Sequence, residues 1–147
     1  FYNNGKWKKI ILNNKIGFID TATGTKVVFP KYDAVGYFGE YKKGWLQVFI
    51  GNQCGFIDTT GKEVVPVRYD KIGIEGKYKE GWFMVRRNQR CGFIDTTGKE
   101  IVPVRYLDVE RFNEIKRGWM VVITNNTGYY CHNLYGIIDT SGKEIIA

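Results

Sequence analysis

The chain has 147 residues, the length of one ordinary domain, and a domain of this size can hold a core without disulfides. It contains 16 Ile and 13 Val but only 4 Leu and 3 Ala, and 16% of its residues are aromatic, which argues against a helical bundle and against disorder. The formal net charge of +7 favours anionic partners and leaves the fold open.

A short set of residues recurs along the chain at a nearly fixed period. Successive Trp residues are spaced by 38, 37 and 37 positions, and a Gly-Phe-Ile-Asp or Gly-Ile-Ile-Asp motif follows each of them. The residues in register are Trp7, Trp45, Trp82 and Trp119, then Gly17, Gly55, Gly92 and Gly136, and then Asp20, Asp58, Asp95 and Asp139. The register predicts one repeat domain over 1–147, with units at about 7–44, 45–81, 82–118 and a partial unit at 119–147.

The second repeat shows the predicted elements most clearly. A strand begins at Trp45, and a polar turn leads to a second strand over 54–58. The following turn can be closed by Asp58, whose carboxylate accepts backbone amides, and by Gly61, which can adopt a left-handed conformation. A third strand contains Pro66, which cannot donate to a ladder and therefore predicts an edge strand.

The predicted fold is an all-β tandem array of repeats of about 37 residues. Each repeat is expected to be a three-stranded antiparallel meander, and the repeats are expected to stack as a curved, solenoid-like array. A closed barrel or a propeller-like ring is the alternative, because the partial first and last units could join. The polar stretches 36–43 and 110–117 can hold a short helical or irregular turn.

The chain resembles the WG repeat family of bacterial proteins. The resembling pattern is Gly-Phe-Ile-Asp-x-x-Gly-Lys-x-Val-x-Pro-x-x-Tyr-Asp, and 55–70 and 92–106 carry it best. The family's Trp directly precedes the Gly, whereas this chain has Ile16, Cys54, Cys91 and Tyr135 there. The resemblance implies a β-rich array, often within a larger envelope or secreted protein, and it implies no catalytic residues.

Basic residues form columns in the repeat. Lys31, Arg68 and Arg105 each precede a repeated Tyr, and a line of cations beside aromatic rings could follow a polyanion. The alternative is that these cations protect strand edges from aggregation.

An insertion lengthens the last repeat by seven residues between Trp119 and Gly136. It contains Tyr129, Tyr130 and His132, which are residue types typical of contact loops, and insertions in repeat proteins often lie on a binding face. A tolerated hairpin extension is the alternative.

The remaining repeated residues are predicted to have structural roles. The Trp side chains are expected to pack one unit on the next rather than to form a stacking ladder for bases or sugars. The Asp carboxylates are expected to cap turns, and Cys54 and Cys91 to act as small hydrophobic residues. His132 is the one histidine, so we expect no zinc site, no catalytic triad and no cofactor.

These features predict a non-enzymatic interaction module or scaffold, a fragment of a larger bacterial protein, that binds another protein through its concave face or the insertion. A basic face for nucleic acid or an acidic glycan is the alternative. The longest apolar run, 119–123, is too short to span a membrane. The three cysteines imply no oxidising compartment, so a cytoplasmic and an envelope or secreted location both stay open, as does the oligomeric state.

Overall fold

The computed structural model describes residues 2–126 and 133–146 of the chain. Every regular element in these two ranges is a β-strand, as the excess of Ile and Val predicts. None of these residues belongs to a helix that is long and apolar enough to cross a membrane. The chain divides into two compact units, Phe1–Asp70 and Lys71–Ala147.

The first unit contains two antiparallel sheets. Its strands are β1 (Trp7–Leu12), β2 (Lys15–Asp20), β3 (Lys26–Tyr32), β4 (Ala34–Val35), β5 (Leu46–Ile50), β6 (Gln53–Ile57) and β7 (Glu63–Tyr69). Sheet 1 has the order β1-β2-β3, and sheet 2 has the order β4-β5-β6-β7. The proline-containing strands β3 and β7 therefore lie at sheet edges, as the missing amide predicts.

The second unit also contains two antiparallel sheets, both of four strands. Its strands are β8 (Lys71–Ile72), β9 (Phe83–Arg87), β10 (Arg90–Ile94), β11 (Glu100–Tyr106), β12 (Asp108–Phe112), β13 (Met120–Asn126), β14 (Asn133–Ile138) and β15 (Glu144–Ile146). Sheet 3 has the order β11-β10-β9-β8, and sheet 4 has the order β12-β13-β14-β15.

The prediction of an all-β tandem array of antiparallel meanders is confirmed. None of the four described sheets closes into a barrel. Sheets 2, 3 and 4 each have one more strand than the three predicted. The additional strand is a short segment before the repeated Trp, and it pairs with the strand that follows the Trp. The stretches suggested for a short helical or irregular turn contain turns and bends without helix, except that 110–112 forms the end of β12.

The two sheets of a unit pack face to face. We call the face of a sheet that carries its Trp and Tyr the Trp face, and the opposite face, which carries the Ile before the repeated Asp, the Ile face. In the first unit, the core combines the Trp face of sheet 1 with the Ile face of sheet 2: Trp7, Phe18, Val28 and Tyr32 with Leu46, Val48 and Ile57. In the second unit, it combines sheets 3 and 4 in the same way: Trp82, Phe93, Val102 and Tyr106 with Met120, Val122 and Ile138. A single meander cannot bury both of its faces, so each sheet depends on its neighbour.

Candidate functional site

The repeated Asp residues lie in the turns that connect the last two strands of each sheet. In the second repeat, Asp58 Oδ1 accepts hydrogen bonds from the Thr60 amide (2.9 Å), the Thr60 hydroxyl (2.6 Å) and the Lys62 amide (3.1 Å). Gly61 adopts a φ of 87° and donates its amide to the Asp58 carbonyl (3.0 Å). The same contacts recur around Asp95 and Asp139, and Asp20 accepts two turn amides. These carboxylates therefore accept their hydrogen bonds from donors within their own turns.

Hydrogen bonding lowers the pKa of all four of these Asp carboxyls below their ordinary value of 3.8. For Asp139, the Ser141 hydroxyl is the main cause, followed by the Ser141 amide. For Asp58 and Asp95, partial burial raises the pKa, but the hydroxyl and amide donors of the turn outweigh it. Each carboxylate therefore contributes stability above its unfolded-state pKa, and this contribution is lost as the pH falls through the lower folded-state pKa.

We expect Asp95→Ala to lower the free energy of unfolding by about 1 kcal/mol at neutral pH, because it removes the acceptor of three hydrogen bonds in one turn. The loss should shrink as the pH falls below the ordinary value of 3.8 and through the lower folded-state pKa, where the carboxylate of the folded wild-type protein becomes protonated. Urea unfolding at neutral and acidic pH measures both values. Thr96→Ala, in the same turn, should leave the free energy of unfolding unchanged at both pH values. An equal loss for Asp95→Ala at both pH values would contradict the assignment of the effect to the ionised carboxylate.

The repeated Gly residues face a bulge on the neighbouring edge strand. Cys54 pairs with Tyr69 and Phe56 with Val65, so Gly55 alone opposes three residues of β7. A Cβ atom on Gly55 would lie 2.2 Å from the Val65 carbonyl oxygen, closer than atoms can approach. Gly17 and Gly92 face the same obstruction at 2.4 and 2.3 Å, and Gly136 at 2.7 Å. The column therefore requires glycine because the backbone of the bulge occupies the space of a side chain.

The Trp side chains of the first three repeats are buried, with exposed fractions of 3, 5 and 5% for Trp7, Trp45 and Trp82. The Trp82 ring lies 5.1 Å from that of Phe93 and 5.3 Å from that of Phe112. Trp119 in the last repeat is half-buried. The structure therefore places these rings in packing contacts, and buried rings cannot form a ladder for bases or sugars.

A second basic column stacks on the Trp residues. The ammonium groups of Lys42, Lys79 and Lys116 lie 5.1, 5.3 and 4.4 Å from the rings of Trp45, Trp82 and Trp119. In each case the Trp amide also donates to the carbonyl of this Lys, which closes a tight turn. These lysines therefore lie over the Trp rings and make cation–π contacts with them.

The cations that precede the repeated Tyr lie over its ring. Lys31, Arg68 and Arg105 are 5.3, 5.2 and 5.3 Å from the rings of Tyr32, Tyr69 and Tyr106. Within the first unit, Lys31 is also 3.6 Å from the Glu63 carboxylate. Within the second, Arg105 forms an ion pair with Glu144. Both ion pairs join the first sheet of a unit to the second, so these two cations already have anionic partners.

The cysteines of the repeat are buried. Cys54 and Cys91 are free thiols that are 3 and 0% exposed. Burial raises the pKa of the Cys91 thiol to about 11, and the pKa of Cys54 is also raised by burial. Both thiols therefore stay protonated at neutral pH and pack as apolar side chains. Within 2–126 and 133–146, no three acidic, His or Cys residues form a group that could hold a metal ion.

The insertion carries Tyr129, Tyr130 and His132, and all three lie outside the described residues. Their suggested contact role stays a prediction. The strands β13 and β14 on either side of the insertion pair from Met120 to Asn126 with Ile138 to Asn133.

A groove of about 430 Å³ lies on the Trp face of sheet 4. Its walls include Glu110, Ile115, Val121, Tyr135, Ile137 and Ile146. Tyr135 and Ile146 are 52 and 49% exposed, and Ile115 is 70% exposed. The equivalent face of sheet 3 is buried against sheet 4, so the groove is the exposed counterpart of a packing surface inside the unit.

Sequence reasoning did not identify this groove or the glutamate partners of the basic column. Glu63, Glu100 and Glu144 occupy one repeat position, directly after the Gly-Lys of the turn. This repeated acidic position is the sequence feature from which partners for the basic column could have been predicted. The first repeat has Lys26 at that position.

The family model for the WG containing repeat matches three consecutive segments, 16–54, 55–91 and 92–114. No curated protein and no solved structure matches the chain. The three matches begin at or beside the repeated Gly, so they follow the same period as the sheets.

Proposed function

The chain belongs to the WG repeat family, and we propose that it is a non-catalytic interaction module that binds another protein through the groove on sheet 4. The observation that carries the proposal is the exposure of Tyr135 and Ile146 on a face that packs against another sheet elsewhere in the same unit. Exposed apolar patches of this kind mark interaction sites in proteins.

The packing of sheet 3 against sheet 4 indicates what the groove can accept. Phe93 and Val102 on the Trp face of sheet 3 pack against Met120, Val122 and Ile138. Ile137 and Ile146 occupy the equivalent positions on sheet 4. A partner that presents a row of apolar side chains from a β-sheet therefore fits this surface.

Charge adds selectivity to the apolar contact. Glu110 lines the groove, and 108–147 contain five acidic residues against four basic ones, a net charge of −1 in a chain of net charge +7. A partner with a Lys or Arg beside its apolar row would pair with Glu110. Such rim charges mainly set association rate and specificity.

The alternative function, polyanion binding along Lys31, Arg68 and Arg105, has weaker support. Lys31 and Arg105 are ion-paired with Glu63 and Glu144, and a polyanion would have to displace these carboxylates. Polyanion binding at this column would weaken steeply with added salt, whereas binding in the apolar groove would not.

The proposal assigns no catalytic role to the repeated carboxylates. Asp58, Asp95 and Asp139 accept their hydrogen bonds from their own turns. Hydrogen bonding lowers their pKa, so they stay ionised at neutral pH and do not act as general acids there.

We expect the double variant Tyr135→Ser/Ile146→Ser to bind the partner at least about tenfold more weakly, because it removes two exposed apolar side chains from the groove. A photo-crosslinking amino acid at position 135, expressed in the native cell, identifies the partner, and titration then compares the variants.

The matched control is Ile74→Ser/Ile50→Ser, which removes apolar side chains that are 72 and 41% exposed elsewhere. This control should bind like wild type. A partner that binds both double variants equally well would contradict the groove, and so would the absence of any protein crosslinked from position 135.

A further inference from the structure

The Ile face of sheet 1 differs from the other Ile faces in one cross-strand row. In sheet 2 the paired residues are Leu46, Ile57 and Glu63, and in sheet 4 they are Met120, Ile138 and Glu144. Sheet 3 has Phe83, Ile94 and Glu100. In sheet 1 the row is Lys8, Ile19 and Lys26. Two lysines thus replace an apolar residue and a glutamate.

This replacement disfavours a repeat-type contact on sheet 1. In sheets 2 and 4 the row packs on the preceding sheet of the unit, where Leu46 and Met120 are fully buried. Lys8 at that position would place an ammonium group in an apolar interface, which is costly without a partner charge. The Ile face of sheet 1 is therefore unsuited to binding another repeat in the way that sheets 2 and 4 do.

The lysines of this row belong to a strongly basic segment. Residues 1–32 contain six lysines and one aspartate, a net charge of +5 out of the +7 of the whole chain, and no arginine. Lys8 and Lys26 are exposed, and neither forms an ion pair within 2–126 and 133–146. Lys31 is paired with Glu63, whereas the ammonium groups of Lys8 and Lys26 can contact an external anion.

Exposed apolar side chains accompany the lysines. Leu12, four residues after Lys8 on the same strand and hence on the same face, is 52% exposed. Phe29 is 67% exposed, and the Lys26 ammonium lies 5.4 Å from its ring. The surface therefore presents cations and protruding hydrophobic groups together.

We propose that the Ile face of sheet 1 binds the anionic headgroups of a membrane surface, with Lys8 and Lys26 as the main cationic contacts. Lysines near an anionic bilayer are attracted to it, and apolar side chains such as Leu12 and Phe29 can enter the headgroup region. Nucleic acid is the less suitable polyanion, because its phosphates are commonly held by arginine and its bases by stacked rings. The proposal does not depend on the groove of sheet 4, which lies in the other unit.

The test is sedimentation of the whole chain with vesicles of phosphatidylcholine alone or of phosphatidylcholine mixed with phosphatidylglycerol. We expect binding to the mixed vesicles only, weakening as salt is added. Lys8→Gln/Lys26→Gln should bind about 30-fold more weakly, since each lysine near an anionic surface contributes close to a factor of five or six. Lys8→Arg/Lys26→Arg keeps the charges and should retain binding.

Lys62→Gln/Lys99→Gln is the matched control, because it removes the same charge from two exposed turn residues. It should bind within about threefold of wild type, given the short range of screened surface charge. Leu12→Ser/Phe29→Ser should lose the binding that persists at high salt. Circular dichroism shows that each variant is folded.

Three results would overturn the proposal. The first is an equal loss of vesicle binding in the Lys8/Lys26 and Lys62/Lys99 variants, which would mean that the net charge of the chain alone attracts it to the anionic vesicles. The second is no binding to the mixed vesicles at physiological salt. The third is tighter binding to duplex RNA or DNA than to vesicles, with nucleic acid displacing the chain from the membrane, which would assign this face to nucleic acid. None of these results bears on the binding of a protein partner at Tyr135.

Discussion

Replacing Gly92 by Ala is expected to lower the free energy of unfolding of the second unit by about 3 kcal/mol. The added Cβ would lie 2.3 Å from the Val102 carbonyl oxygen and 2.7 Å from the Pro103 carbonyl carbon. Both obstructing atoms are backbone atoms of a bulge, so they cannot move aside as a flexible side chain would. Urea unfolding followed by circular dichroism measures the change.

Gly73→Ala is the control in the same unit. Its added Cβ would meet the Met84 carbonyl oxygen at 3.6 Å, an ordinary contact, and Gly73 does not adopt a left-handed conformation. We expect a change within about 0.5 kcal/mol. If the two substitutions had equal effects, close approach of the bulge would not explain the repeated glycine.

Trp82→Ala should have the largest effect of any single truncation in the second unit, about 4 kcal/mol. The side chain is 5% exposed and belongs to the core formed by sheets 3 and 4. Its removal leaves a cavity beside Phe93 and Phe112, whose rings it contacts. Thermal unfolding followed by circular dichroism avoids any dependence on the fluorescence of the deleted ring.

Trp119→Ala provides the comparison, because the same residue type at the same repeat position is only half-buried. Trp119→Ala removes less buried apolar surface than Trp82→Ala does, so we expect the free energy of unfolding to fall by about 2 kcal/mol or less. Equal losses for the two substitutions would show that burial of the Trp does not determine its contribution to stability.

The period of the sequence predicted the positions that matter for packing. One Trp and one Gly-Phe-Ile-Asp or Gly-Ile-Ile-Asp motif in each repeat were enough to predict antiparallel strands and their connecting turns. The turn around Asp58 could be predicted because its hydrogen bonds join residues within four positions of each other. Pro66 likewise predicted an edge strand from a property of one residue.

Other features depend on contacts that no local pattern reveals. The strand Ala34–Val35 has two residues, too few to show alternation, and it forms because its amides and carbonyls pair with Phe49 and Val48. The requirement for glycine at position 55 comes from a bulge on another strand. A single sequence shows neither the bulge nor the pairing.

The candidate site was predicted less well than the fold. The basic column of Lys31 and Arg105 was recognised, but its partners Glu63 and Glu144 lie in the following sheet, 32 and 39 residues away. The groove on sheet 4 is the exposed counterpart of a face that is covered on sheet 3. Exposure is a property of the assembled unit and is not encoded at any one position.

The pairing of Lys31 with Glu63 and of Arg105 with Glu144 also restricts how such a gene can be rearranged. In both pairs the cation belongs to the earlier sheet of the unit and the carboxylate to the later one. A copy of the first repeat inserted later in the array would place Lys26 opposite another cation, whereas copies of the second, third or fourth repeat would supply Glu63, Glu100 or Glu144 there. Duplication within the array therefore preserves this ion pair only when it copies a repeat that carries the glutamate, which the first repeat lacks.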